Sequence, residues 1–175
     1  MRRYYQDVHI RDIERQAKHL DVGLVGVPLH GGPGAGPGYV SRLAAALTEV
    51  NKVSAVSGLA CGDLHLEHIR QWREDAVARG LGVTIRYPVW SDVACSNYAA
   101  LAADLAASGV PCTVSAVTDD KAVAAGAEVG VLYTPALAAA MVAAGLDAFG
   151  ENGETHTLAR VWEVSRERAL GVREQ

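Results

Sequence analysis

The densest run of chemistry-bearing residues is Phe149-Gly150-Glu151-Asn152-Gly153-Glu154-Thr155-His156-Thr157. Asn152-Gly153 is a strong turn signal because both residues tolerate positive φ, so Glu151 and Glu154 are expected to flank a tight turn. Two carboxylates held close together can coordinate magnesium, bind an ammonium or amine, or act as a general base with a raised pKa. His156, two residues past Glu154 on an expected strand, would share its face. The same spacing also describes an exposed acidic hairpin tip, and spacing alone leaves both readings open.

A second constellation is Gly62-Asp63-Leu64-His65-Leu66-Glu67-His68-Ile69-Arg70-Gln71-Trp72-Arg73-Glu74. It leaves an expected strand and opens an expected helix, and in open parallel sheets ligands bind outside the carboxyl ends of the strands. Gly62 would allow a tight turn, and Asp63 would accept amide hydrogen bonds at the helix start or hold a magnesium ion. Glu67 and Arg70 share a helix face, as do Arg70 and Glu74. The plain alternative is a capped helix with exposed ion pairs. His65, His68 and Asp63 are a further, weaker candidate for a metal cluster.

Two other patterns carry less. The glycine-rich stretch Gly31 to Gly38 sits between an expected strand and helix, where a phosphate cradle belongs, but it has no lysine and its prolines remove amide donors. It reads as a connector. Trp72, Tyr87, Trp90 and Tyr98 could stack bases, but they fall on different expected elements, so packing is the expected role.

The elements that must position these residues alternate. Asp7 is expected to cap a helix buried through Ile10, Ile13, Ala17 and Leu20, followed by a strand Val22 to Leu29. Further helices are expected over Tyr39 to Val50, Leu66 to Arg79, Tyr98 to Ala107 and Thr134 to Ala144. Strands are expected over Val53 to Ala60, Val83 to Tyr87 and Pro111 to Val117, with Thr155 to Val164 as an edge or hairpin strand. Mostly apolar strands alternating with helices predict an α/β fold, a mostly parallel sheet with helices on both faces. Alanine, concentrated between Ala94 and Ala148, suits closely packed crossover helices.

Composition narrows the class. A chain of 175 residues, half of them hydrophobic, predicts one domain, here residues 1–164 with a charged tail over 165–175. The net charge of -4 gives no reason to expect nucleic-acid or anionic-membrane binding. No apolar run approaches the roughly 20 residues of a membrane span, and Met1-Arg2-Arg3 is not followed by a secretory pattern. A cytoplasmic location is therefore expected. Cys61, Cys95 and Cys112 are widely spaced and read as buried thiols rather than a disulfide framework.

Taken in order, the motifs resemble those of the adenine-nucleotide alpha-hydrolase or ATP pyrophosphatase family that contains diphthine–ammonia ligase. The segments that carry the resemblance are His9 to Ala17, Cys61 to Glu74, Tyr87-Pro88-Val89-Trp90, Gly109 to Val114 and above all Gly150 to Thr157. The last resembles the family's Gly-Glu-Asn/Gly-Gly-Glu-aromatic-His/Glu-Thr element, with Thr155 where an aromatic residue is usual.

The resemblance implies a Rossmann-like sheet and an amidation in which ATP is split to AMP and pyrophosphate. A carboxylate becomes an acyl-adenylate that ammonia attacks. ATP and Mg2+ are the implied cofactors, diphthamide biosynthesis the implied setting, and elongation factor 2 or a small carboxylate the implied partner, with a homo-oligomer also open. It further implies Gly62, Asp63, Glu67 and Arg70 on the nucleotide side and Glu151, Glu154 and His156 as catalytic groups. Gly150, Asn152, Gly153 and Thr157 would contact substrate.

One departure matters. Family members start with a Ser-Gly-Gly-Lys-Asp-Ser-like loop that holds the ATP phosphates, and this sequence contains none. The resemblance therefore implies a fold partial at its amino end, with phosphate binding supplied by a longer chain or a partner. It also leaves open a non-catalytic relative that binds a nucleotide or protein.

Overall fold

The computed structural model describes residues 8–27, 37–91 and 98–171. They form a mixed α/β protein divided into two compact units, Val25–Asp92 and the combination of Met1–Leu24 with Val93–Gln175. Asp7, Cys95 and most of the glycine-rich stretch lie outside the described residues.

The Val25–Asp92 unit is built on a parallel strand pair with a helical crossover. With α1 (Ile10–Leu20) in the other unit, it runs through α2 (Pro37–Asn51), β1 (Gly58–Ala60), α3 (Glu67–Trp72), a π turn (Arg73–Ala78), α4 (Arg79–Leu81) and β2 (Thr84–Arg86). β1 and β2 pair in the register Gly58↔Thr84, Leu59↔Ile85 and Ala60↔Arg86. The crossover buries Val77, and β2 buries Ile85. It stops at Gly82, whose φ of 65° is the left-handed conformation that favours glycine; Gly80 lies inside α4.

The strand expected over Val53 to Ala60 is halved. The amides of Val53 and Ser54 bond back to Val50, and the Val56 amide donates to Asn51 Oδ1 at 2.7 Å. Donors that would start the ladder are spent on ending α2.

The larger unit holds α1 (Ile10–Leu20), α5 (Tyr98–Ser108), β3 (Cys112–Val117), α6 (Asp120–Ala124), α7 (Pro135–Ala143), β4 (Thr155–Ala159), a 3-10 turn (Val161–Glu163) and α8 (Arg166–Ala169). Thr134 caps α7 by accepting from the Leu137 amide, with Pro135 in the first turn. β3 and β4 are antiparallel, with a register irregularity between Val114 and Ala116. The other edge of β3 meets residues 130–133 through Val114 N to Val131 O (2.9 Å) and Tyr133 N to Cys112 O (2.8 Å).

The expectation of one mostly parallel sheet is corrected here. Among the described residues the strands form two separate two-stranded sheets, one parallel and one antiparallel. β4 buries Thr155 and exposes Thr157, the half-solvated pattern an antiparallel edge tolerates and a doubly covered parallel strand does not. The strand expected from Val22 is also absent over residues 22–27, where Val22, Leu24 and Val25 are about half exposed. α1 ends at Asp21 (φ 55°), and it buries Ala17 but leaves Ile10 exposed.

Two apolar clusters support the larger unit. Val114, Ala122, Ala127, Leu137 and Met141 pack under β3. Tyr98 and Ala102 of α5 meet Ala138 of α7 and Ala148, alanines letting the two helices approach closely. Tyr133 packs against both clusters. No helix among the described residues is long and apolar enough to cross a membrane.

Candidate functional site

The acidic run folds into a turn displaced by one residue from the expected one. The Gly153 amide donates to the Gly150 carbonyl at 2.8 Å, so Glu151 and Asn152 occupy the centre. Only the flanking Gly150 (φ 71°) and Gly153 (φ 88°) are left-handed; Asn152 is not. Gly150 has no room for a side chain, because a Cβ there would run into the Thr155 backbone carbonyl and Oγ1.

Thr118, just past β3, fixes the exit of the turn. Its amide donates to the Glu154 carbonyl at 2.9 Å, and its hydroxyl bonds the carbonyls of Gly153 and Glu154. With the backbone gripped there, Glu154 and Thr155 are both buried and the period-two alternation begins only afterwards.

Glu154 is 8% exposed. Its Oε1 accepts from the Asp147 amide at 3.2 Å and from Asn152 Nδ2 at 3.4 Å. Its Oε2 is buried with no hydrogen-bond partner. An unsatisfied buried polar atom costs about 1–3 kcal/mol, and more when charged, so this oxygen is a standing acceptor for an N–H donor or a proton.

Beside it lies Asp147, 6% exposed, a residue the sequence reading passed over. Its Oδ2 accepts from the Tyr98 hydroxyl at 2.6 Å and its Oδ1 from the Phe149 amide at 2.8 Å. The Tyr133 hydroxyl donates to the Ala148 carbonyl at 2.6 Å. Burial pushes the Tyr133 phenol well above its ordinary range, and the Asp147 carboxylate adds to the shift.

Asp147 is a second acid beside Glu154, which accepts from its amide, while Glu151 sits half-buried at the centre of the turn rather than flanking it. His156 is half-buried opposite Ala116 in β4, and no hydrogen bond joins it to Glu154 among the described residues. Thr157 is exposed, and its hydroxyl meets the Cys112 thiol, which burial pushes up and Thr157 partly lowers.

The residues expected on the nucleotide side lie in the other unit. Gly62 follows β1 in a conformation open to any residue, with free space around it, so the expected tight turn does not need it. Asp63 does not cap the helix: the cap position is Leu66, without a side-chain bond. Both Asp63 oxygens are held by Arg73 instead, at 2.6 Å to Nε and 3.0 Å to Nη2. Asp63 is thereby withdrawn from any ligand set with His65 and His68, and no group of three potential metal ligands occurs among the described residues.

Glu67 is exposed in the first turn of α3. Neither expected ion pair, Glu67 with Arg70 or Arg70 with Glu74, forms among the described residues. The Arg70 guanidinium lies over the rings of Trp90 (4.7 Å) and Tyr87 (5.3 Å).

No protein-family model matches the chain, and the search of curated proteins returns no match.

Proposed function

We propose that this protein is a diphthine–ammonia ligase-like, ATP-dependent amide-forming enzyme of the cytosol, in which Glu154 receives ammonium. The observation that carries the reading is the bare, buried Oε2 of Glu154, in the run that most resembles the family's element. Ammonium would donate to Oε2, with Asn152 and the Asp147 amide holding the other oxygen. Glu154 would take one proton from ammonium before attack, freeing the lone pair of ammonia; ammonia adds to the acyl-adenylate carbonyl, AMP leaves as the C–O bond to it breaks, and the second proton passes to solvent as the amide forms. Gly150 and Thr118 serve by fixing the turn that aims the carboxylate inward.

On the nucleotide side the residues present do not fit a magnesium ligand at Asp63. Arg73 occupies both oxygens in a partly buried, bidentate ion pair. Arg70, stacked on Trp90 and Tyr87, is a cation available to a phosphate among the described residues. The same closed Asp63–Arg73 pair favours the second reading, a non-catalytic relative that binds a nucleotide or protein.

Calorimetric titration with ATP and magnesium, followed by an AMP assay with ammonium and candidate carboxylates, separates the two. Binding with ammonium-dependent AMP release supports the ligase. Absence of both rejects it for this chain.

A further inference from the structure

We propose that Arg70 and Arg86 form a clamp for a phosphoryl oxyanion on the Val25–Asp92 unit. Arg70, on α3, lies with its guanidinium over Trp90 and Tyr87, whose rings meet edge to face at 5.9 Å. A guanidinium stacked on aromatic faces keeps its in-plane N–H donors for an anion. Neither Arg70 nor Arg86 has an ion pair among the described residues.

Both line one cleft of about 450 Å³, together with Glu74, Ile85, Tyr87 and Trp90. That volume falls in the range of small-ligand sites, roughly 300–1,000 Å³. The charges around it are two guanidiniums and the Glu74 carboxylate, which lies near the Tyr87 phenol and helps hold its proton, while the Tyr87 hydroxyl donates to the Arg70 carbonyl at 3.5 Å. Asp63 and Arg73 nearby neutralise each other, so the cleft is net positive. Two arginine forks, from α3 and β2, offer more donors than one carboxylate can use; a phosphoryl group or a short phosphate chain can engage both.

The inference rests on the nucleotide-side placement of Arg70 but not on amidation at Glu154. A test without ammonium or acceptor lets the two fail separately. The full chain is titrated calorimetrically with sodium pyrophosphate and, in a second arm, with AMP. Saturable binding is expected, weakened about tenfold or more in Arg70→Gln and in Arg86→Gln and not restored by Arg70→Lys, which lacks the planar fork. Pyrophosphate displacing AMP would identify a phosphate-only site, and AMP binding that pyrophosphate cannot displace would identify a nucleotide site. No saturable binding of either probe overturns the proposal. So does unchanged affinity in both glutamine variants with native circular dichroism. Should Arg70→Gln fail to fold, Arg86→Gln at an exposed position decides.

Discussion

At the residue scale, Glu154 and Asp147 are two buried carboxylates with opposite fates. Asp147 accepts from a phenol and an amide, whereas Glu154 keeps one oxygen bare. Glu154→Gln preserves size and an acceptor while removing the negative charge. It should cut ammonium-dependent amidation by about 10²–10⁴-fold, with the melting temperature held within a few degrees. A large loss of stability with unchanged activity would make the carboxylate purely structural. Tyr98→Phe deletes a charge-assisted bond to Asp147 and should cost about 1.5–3 kcal/mol in urea unfolding. Burial holds the Tyr133 phenol and the Cys112 thiol above their ordinary ranges, so the folded state keeps both protons more tightly than the unfolded chain. Stability is then full below the unfolded values, about 8.5 for a thiol and about 10 for a phenol, and is lost as pH rises past them toward the folded ones. Melting temperature followed into the alkaline range should fall, and Tyr133→Phe should flatten the upper part of that fall; an unaltered slope would contradict the assignment.

At the element scale, the turn is held by glycine geometry on one side and Thr118 on the other. Gly150→Ala combines a steric clash with a left-handed φ and should destabilise by about 2 kcal/mol or more in denaturant unfolding. Thr118→Val removes the hydroxyl bonds to Gly153 and Glu154 and should cost about 1 kcal/mol while weakening ammonium use more than nucleotide binding. The elements themselves were legible where local chemistry decides them. Thr134-Pro135 starts α7 and Gly82 ends the α3–α4 crossover, as their residue types dictate. The turn was displaced because bonds from the amide and hydroxyl of Thr118, 36 residues before Glu154, fix its exit. Asp147 was hidden for a similar reason: its neighbours Tyr98 and Glu154 are assembled by α5 and the turn, not by sequence spacing.

At the scale of the whole molecule, the alternation of helices and strands marked the α/β class, but strand pairing is set by contacts far apart in sequence. β3 pairs antiparallel with β4, and β1 parallel with β2, so the described residues form two small sheets. The acidic turn belongs to one compact unit, and the Arg70 cleft with Asp63 and Arg73 to the other. The proposed phosphate clamp and the proposed ammonium site therefore fall in different units, and separate probes can test them in the full chain. The most direct test of the account is AMP formation from ATP with ammonium and diphthine-bearing elongation factor 2, comparing the native chain with Glu154→Gln. The account predicts ammonium-dependent AMP release by the native chain and its loss in the variant; equal release by both, or none by either, would contradict it.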